Sequence, residues 1–522
     1  MPPLVLTRPN TKPDLAAILL AEHDCVTRLQ ARWDTFLRVY EGGIRVRDLL
    51  VQHQREHESS FLRRKQRTYY LNFCQPIIDI YSAFIYNRPP VRSADRISGT
   101  GGVPVTPDEL QEFYRDVDGK GHDMNNFMKK FVHRRMNIFG HVYVVVDMPR
   151  LTETLLTEAD RLAFGLRPYL YTVDPPRVIN WAQDAAGRFL WIRWKEDAPD
   201  QEDPFSPELV SSSVQLPRSS PYTSSALPMK ATMKAQRVRT WTRTQWFLHE
   251  IRGKEVNLID EGPNPLGEVP VVLVVREPSS LDPGCGISAL TDLSGINVAI
   301  YQWTSLLDEE LHQKVMSILT LHKDVADEST DVIIGSNNVL EYTGNIPPQF
   351  IATPTAPAQM ILESIDRLKT EMFTLAHLGG TLNPTRGQSG VSHAFDFNET
   401  NQALAEQALV LENAEQQIHR LWAAWLNEEW RGTIDYPEEF GIELFDEELT
   451  TLSRAVEEIK SVSFARIMRT KLANKFLYKE DDAVKAQVAQ EIAQTTAQRF
   501  FFEQQQFSQP DQGVQQTPQQ GG

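Results

Sequence analysis

The residues whose types could do chemistry are scattered, and few stand at a spacing that chemistry requires. His53 and His57 lie four apart, flanked by Glu56 and Glu58. Two histidines at i and i+4 of a helix could share one face of a zinc ion. No third ligand accompanies them, so a solvated polar helix face is the expected role and no metal is expected. Carboxylates run together at Asp308-Glu309-Glu310, Glu428-Glu429 and Asp446-Glu447-Glu448. General acid–base work needs two carboxylates converging in a pocket, whereas neighbours in one run usually point outwards. The sequence contains no GxxxxGK[ST] phosphate loop, no HExxH and no cysteine zinc cluster. Gly387-Gln388-Ser389-Gly390 is one residue too short for a GxSxG turn, and no strand precedes it. Lys129-Lys130 with Arg134-Arg135 is the densest basic cluster, either plain helix surface or a phosphate contact. The ten tryptophans are spread through helices and strands, which suits a core better than a base-stacking platform. The expectation is a protein with no catalytic residue, no cofactor and no enzymatic activity of its own.

Composition sets the frame for these residues. The chain has 522 residues, 41% hydrophobic and 23% charged, enough for a sizeable core in two to four domains. Apolar runs such as Val142–Val146 and Val269–Val275 are short and β-branched, far below the ~20 residues of a membrane helix. Met1 to Asp14 holds four prolines and no apolar core, so it does not read as a secretion signal. Three cysteines, Cys25, Cys74 and Cys285, form no CxxC pair, and their odd number argues against a disulfide framework. Synthesis in a reducing cytoplasm is expected, where the Asn398-Glu399-Thr400 sequon would meet no glycosylation machinery.

The net charge of -16 disfavours a static grip on DNA. Charge is also uneven along the chain: Arg28–Arg92 holds 12 basic against 6 acidic residues, and Glu399–Lys460 holds 15 acidic against 4 basic. The two regions are suited to different partners.

Apolar spacing of three and four predicts helices over residues 14–70, broken at Gly42-Gly43, and over Phe61–Tyr86, stopped by Asn87-Arg88-Pro89-Pro90. Helices resume over Asp108–Val117 and Met124–Asn137. From Gly140 the period changes to two, predicting strands at His141–Met148, Arg167–Val173, Arg177–Trp181, Phe189–Lys195, Val238–Ile251, Glu255–Ile259 and Val269–Arg276. Residues 196–236, with six prolines, read as a mobile insert. A long helix is predicted over Ser288–Val315, a compact β segment over Ile318–Thr353, and a second long helix over Ala358–Leu378. A glycine-rich loop then precedes a third long helix to about Trp430. Final helices are expected over Glu447–Met468 and Asp481–Gln506, and the tail from Gln504 is Gln/Pro/Gly-rich and expected to be disordered.

This order of elements resembles the portal proteins of tailed bacteriophages, a family found in phages and prophages, over nearly the whole chain. The matching pieces are a pattern of weak motifs. Tyr70 to Asp79, followed by Phe84-Ile85-Tyr86-Asn87-Arg88-Pro89-Pro90, is similar to the family's early helix and its stop. Phe139-Gly140-His141 to Asp147 resembles the strand that enters the β part of the wing. Tyr169 to Trp181, with Asp174-Pro175-Pro176 and Ile179-Asn180-Trp181, resembles the turn and strand that follow. Val269-Pro270-Val271-Val272, then Ile287-Ser288-Ala289-Leu290 and Asp292 to Asn297, resembles the passage from wing strand to first stem helix. The insert and the glutamine-rich tail have no counterpart in the family.

The resemblance implies an α+β, predominantly helical fold: a wing (1–287), a stem helix (288–316), a small α/β clip (317–356), a second stem helix (357–378), a tunnel loop (379–400), a wing helix (401–445) and a helical crown (446–503). It implies a ring of about twelve copies at one capsid vertex of the virion, through which duplex DNA enters and leaves. The implied partners are the terminase large subunit, the major capsid and scaffolding proteins and a head-tail adaptor, with no membrane. Channel candidates are Asp308, Glu309, Glu310, Lys314, Glu363, Asp366, Lys369 and Glu371 on the stem helices. In the tunnel loop they are Thr381, Asn383, Thr385, Arg386 and Gln388, beside glycines 379, 380, 387 and 390. Three other readings compete, one of them a monomeric DNA-binding scaffold, which the net charge disfavours. A different structural virion protein, such as a head-tail adaptor or minor head protein, would share the ring logic. A metal-dependent phage enzyme would need a convergent acidic pocket.

Overall fold

The computed structural model describes residues 14–93, 107–149, 166–197, 236–314, 318–322, 339–342, 349–351, 355–378 and 390–440, and further on 454, 458–459, 461–476, 484 and 487–494. Most of the insert, the loop 379–389 and the glutamine-rich tail lie outside them. The chain divides into two compact units, one of residues 1–86 and 90–438, the other of 87–89 and 439–522.

The first unit opens with α1 (Leu15–Leu20) and α2 (Asp24–Glu41). Val26, Trp33, Phe36 and Tyr40 recur at helical spacing and are buried, and Gly42 ends α2 at φ +69 with its N–H on Arg38 O. A 3-10 turn (Gly43–Leu49) leads to α3 (Glu58–Arg67), whose acidic first turn and basic last turn suit the helix dipole. His57 caps α3, its Nδ1 accepting the N–H of Ser59 at 3.3 Å. The two histidines expected on one helix face thus occupy a turn and a cap instead. Among the described residues no group of three or more His, Cys, Asp or Glu could hold a metal.

The single helix expected over 61–86 is broken. Thr68–Phe73 is not helical, and α4 (Cys74–Ile85) starts anew. The cause is distant in sequence: Asn297 Oδ1 accepts the N–H groups of Phe73 and Cys74, and its Nδ2 donates to Leu71 O at 2.8 Å. A side chain thereby satisfies donors that a helix start leaves open. Strand β1 (Val91–Ser93) and α5 (Pro107–Arg115) follow, then a helical run of α6 (Met124–Phe127), a π turn (Met128–His133) and α7 (Arg134–Phe139).

The β region forms two sheets. β2 (His141–Asp147), buried along its whole length, sits between β3 (Tyr169–Val173) and β9 (Val271–Val275), all antiparallel. A five-stranded antiparallel meander holds β4 (Val178–Gln183), β5 (Phe189–Glu196), β6 (Gln236–Thr242), β7 (Gln245–Arg252) and β8 (Glu255–Pro263). The strand expected over 238–251 is two strands. Thr242 Oγ1 accepts the N–H of Gln245 and donates to Gln245 O, closing a two-residue turn at Arg243-Thr244. Ile179, Val238 and Ile251 on one face of this sheet bury Ala16 and Leu19 of α1.

Two long helices come next: α8 (Leu290–Lys314) and α9 (Ala356–Leu375). Between them β10 (Ile318–His322) pairs in parallel with β11 (Val339–Tyr342) and antiparallel with β12 (Gln349–Ile351). α10 runs from Gly390 to Trp425. It therefore begins inside the stretch expected as loop, and it ends before β13 (Thr433–Asp435), which pairs with β1. In the second unit α11 spans Val462–Phe476, its first turn capped by Ser461 Oγ accepting the N–H of Phe464. The fold is mixed helix and sheet, as expected. No helix among the described residues is long and apolar enough to cross a membrane.

The expectation about cysteines fails. Cys25 of α2 and Cys285 before α8 form a disulfide, and buried Cys74 is the free thiol. An odd count excludes full pairing but not one bridge between residues 260 apart in sequence.

Candidate functional site

The start of α8 is pinned to the strand that opens the β region. Gly140 (φ +89) and Gly286 approach so closely that a Cβ on Gly140 would overlap the Gly286 carbonyl and lie 2.8 Å from the carbonyl carbon of Ile287. Ser288 caps α8 by accepting the N–H of Leu290 at 2.9 Å, and its hydroxyl donates to Ile138 O at 2.6 Å. Ala289 N–H bonds Asn137 O at 3.0 Å. Residues 139–141 and 286–289, which carry the resemblance to wing strand and stem passage, thus meet at one crossing.

Helices α8 and α9 pack together and run antiparallel. Phe73 bonds Asn297 near the start of α8, and its ring meets that of Phe373, near the end of α9, at 6.1 Å. Tyr81 donates to Ala376 O just past α9. The far end of α8 is held by α3: Arg64 donates to Ser305 Oγ at 2.6 Å and Arg67 pairs with Glu309. Arg64 is buried against Glu56 at 2.7 Å, and this pair holds the Glu56 carboxyl below its ordinary range. Thus α8 is the axis on which α3 and α9 are mounted.

The channel candidates fall into three groups. Glu309 is tied to Arg67, Glu371 pairs with Arg367 at 2.9 Å, and Lys369 Nζ lies 6.0 Å over the Phe73 ring. Glu363 and Asp366 are exposed on α9, and no ion pair holds either among the described residues. Asp308 and Glu310 are partly buried on α8. The Lys314 side chain, and Thr381, Asn383, Thr385, Arg386 and Gln388 altogether, lie outside the described residues. Just before that loop, His377 (φ +54) meets Glu399 of α10 at 2.6 Å, and Thr400 donates to His377 O.

The basic cluster of the π turn and α7 is partly consumed within the unit. Arg134 pairs with Asp79 at 2.9 Å and Arg135 with Asp174 at 3.5 Å. Five tryptophans, Trp33, Trp194, Trp241, Trp246 and Trp422, are fully buried. A cavity of about 440 Å³ between the β4–β5 turn, β9 and α10 is lined by Arg188, Arg243 and Arg420. Its cations are already matched: Asp184 takes Arg188 and Arg243, and Glu268 takes Arg420 with both oxygens. With the Arg188 N–H and the Arg243 guanidinium on it, the Asp184 carboxyl falls to about 2.

Two buried polar networks were not expected from the sequence. In one, Arg92 of β1 pairs with fully buried Glu415 of α10, which also accepts from Tyr436 at 2.7 Å. Burial pushes the Glu415 carboxyl up, but the Arg92 guanidinium and the Tyr436 hydroxyl outweigh it and hold it ionised. In the other, His133 contacts Ser82 and Gln407, each at 2.9 Å. Burial lowers His133 and His419 to about 4 and His141 to about 3, so all three are neutral near pH 7. Glu415, His133, His141 and His419 are buried, and Arg92 is nearly so.

No family model and no curated protein matches this chain.

Proposed function

We propose that this chain is a portal protein of a tailed bacteriophage: a subunit of the ring at one capsid vertex through which the genome is packaged and ejected. The observation that carries this reading is the pair of long antiparallel helices α8 and α9, with three short paired strands in the chain between them and a 36-residue helix beyond. The meeting of Gly140 with Gly286 supports it, since it brings the strand that opens the sheets to the start of the first long helix.

In a single copy most positions of α9 are exposed, and β11 and β12 are the outer strands of the small sheet among the described residues. Closed cyclic symmetry covers such surfaces with neighbouring copies. The acidic balance suits a conduit. A basic lining would bind phosphates through many counterion-releasing contacts and hold DNA in place. Exposed carboxylates such as Glu363 and Asp366 repel the backbone and keep sliding friction low. The chain supplies no energy for transport in this reading. That role falls to the terminase large subunit, docked first and replaced later by a head-tail adaptor, with the capsid and scaffolding proteins around the ring.

Negative-stain electron microscopy of the purified chain tests the proposal. The expected result is rings of about a dozen subunits with a central hole wide enough for duplex DNA. A uniform monomer or closed dimer at high concentration would overturn it, and robust ATP hydrolysis by the chain alone would overturn the non-enzymatic part.

A further inference from the structure

In the cavity between the β4–β5 turn, β9 and α10 every cation touches a carboxylate, but the charges do not balance. Its lining carries four charged side chains, Arg188, Arg243, Arg420 and Glu268, and Asp184 contacts the first two. Glu268 takes Arg420 with both oxygens, so that pair is neutral. Arg188 and Arg243 share a single carboxylate oxygen: Asp184 Oδ2 lies 3.2 Å from Arg188 Nε and 2.7 Å from Arg243 Nη2. The other oxygen of Asp184 accepts the backbone N–H groups of Ala186 and Arg188 at 2.9 and 3.0 Å. Three guanidiniums therefore stand against two carboxylates. Both terminal nitrogens of Arg188, and Nε and Nη1 of Arg243, have no hydrogen-bond partner among the described residues. Around them Phe189, Val271 and Leu421 are buried, and Gln417 adds a neutral amide. Walls of low polarity strengthen the field of the excess charge.

We propose that this cavity binds the phosphate group of a small molecule, inorganic phosphate or a phosphate monoester, between Arg188 and Arg243. Two guanidiniums that reach one carboxylate oxygen are close enough to grip two oxygens of one phosphate, and the planar guanidinium fork matches that geometry. Asp184 holds both cations in place before the ligand arrives, so little ordering accompanies binding. The cavity, about 440 Å³, has room for a phosphate and a small body attached to it. A backbone phosphate of DNA carries the same chemistry, and the test separates the two sources. No residue of α8 or α9 lines the cavity, so the inference stands or falls apart from the portal reading.

Calorimetric titration of the full-length chain with inorganic phosphate at low ionic strength tests it, with a short DNA duplex as a second titrant. The wild type should take up one phosphate per chain. Arg188→Met and Arg243→Met should each weaken that uptake roughly tenfold, the loss of a charge-assisted hydrogen bond. Arg63→Met, which removes an exposed cation on α3, should leave it unchanged. Asp184→Asn keeps the acceptor for both backbone N–H groups and removes the charge that offsets the two guanidiniums, so uptake should tighten roughly tenfold. If Arg188 and Arg243 served only to brace the turn, Asp184→Asn would not strengthen binding. No saturable uptake by the wild type, uptake that survives both arginine substitutions, or uptake unchanged or weakened by Asp184→Asn would each overturn the site. Uptake of the duplex without uptake of free phosphate would overturn the small ligand and assign the arginines to DNA.

Discussion

Replacing Gly140 by alanine adds one methyl group where the chain crosses itself between α7 and the start of α8. Two costs follow, and controls separate them. Gly140 sits at φ +89, and an L-residue held in left-handed backbone costs about 1–2 kcal/mol. The methyl carbon would also lie 2.5 Å from the Gly286 carbonyl carbon, inside van der Waals contact. Relief requires the backbones to part, and they are stitched there by Arg276 N–H to Gly140 O at 2.9 Å and Ile287 N–H to Glu277 O at 2.8 Å. Losing both costs about 2 kcal/mol more, for a total of roughly 3–4 kcal/mol. Gly286→Ala carries the overlap without a positive φ, and should cost about 2 kcal/mol. Gly267→Ala carries φ +69 with nothing within 4 Å of the added carbon, and should cost only about 1 kcal/mol. The readout is the urea midpoint followed by tryptophan fluorescence. Buried Trp33, which donates to Phe139 O at 3.2 Å, reports on the crossing itself. If Gly140→Ala and Gly267→Ala cost the same, the close approach is not what requires glycine, and the account of this crossing is wrong.

Acid should destabilise the first unit before most carboxylates titrate. His133, His141 and His419 are held neutral by burial, at about 4, 3 and 4, against 6.5 when unfolded. The unfolded chain then binds more protons below pH 6.5, so stability falls as pH drops, by roughly 2 kcal/mol per histidine at pH 5. Urea midpoints between pH 7.5 and 5 should show this slope, and His141→Gln should flatten it; an unchanged slope would place that histidine in contact with solvent. Glu415→Gln leaves Arg92 charged inside the unit and should lower stability by about 3–5 kcal/mol in thermal unfolding. Replacing Arg92 by Met and Glu415 by Leu together should cost much less, and equal losses would mean the pair is not buried. Denatured without reductant, the chain should expose one thiol to a thiol reagent, Cys74, and three after reduction. Three thiols at the outset would show that Cys25 and Cys285 are unpaired in the purified protein.

What could be read from the sequence was what local periodicity encodes. Val142–Val146 and Val271–Val275 are β-branched runs, and a run of that kind with turns on both sides has few options besides a buried strand. Leu404, Ala408, Leu411, Ile418 and Trp422 likewise fix one side of α10 as core. The failures are contacts across hundreds of residues. Tyr69, Tyr70, Phe73 and Ile77 keep helical spacing through the 68–73 break, and nothing local announces it. The break exists because Asn297, 224 residues from Phe73, captures two backbone donors. The disulfide spans 260 residues, and Arg92 meets Glu415 across 323.

One of these contacts did leave a mark in the sequence. Glu415 stands four residues after Leu411 and seven before Trp422, on the stripe that otherwise carries only core residues. A carboxylate on an apolar stripe must find a cation or give up its charge, so its position calls for a buried partner without saying which. The partner, Arg92, lies just beyond the Asn87-Arg88-Pro89-Pro90 stop, in the stretch that pairs with β13. The ion pair and the two-strand pairing therefore enforce each other. Arg92 reaches Glu415 because β1 is held against β13, and Tyr436, one residue past β13, completes the shell of the same carboxylate. Polar residues at core spacing mark where distant segments must meet.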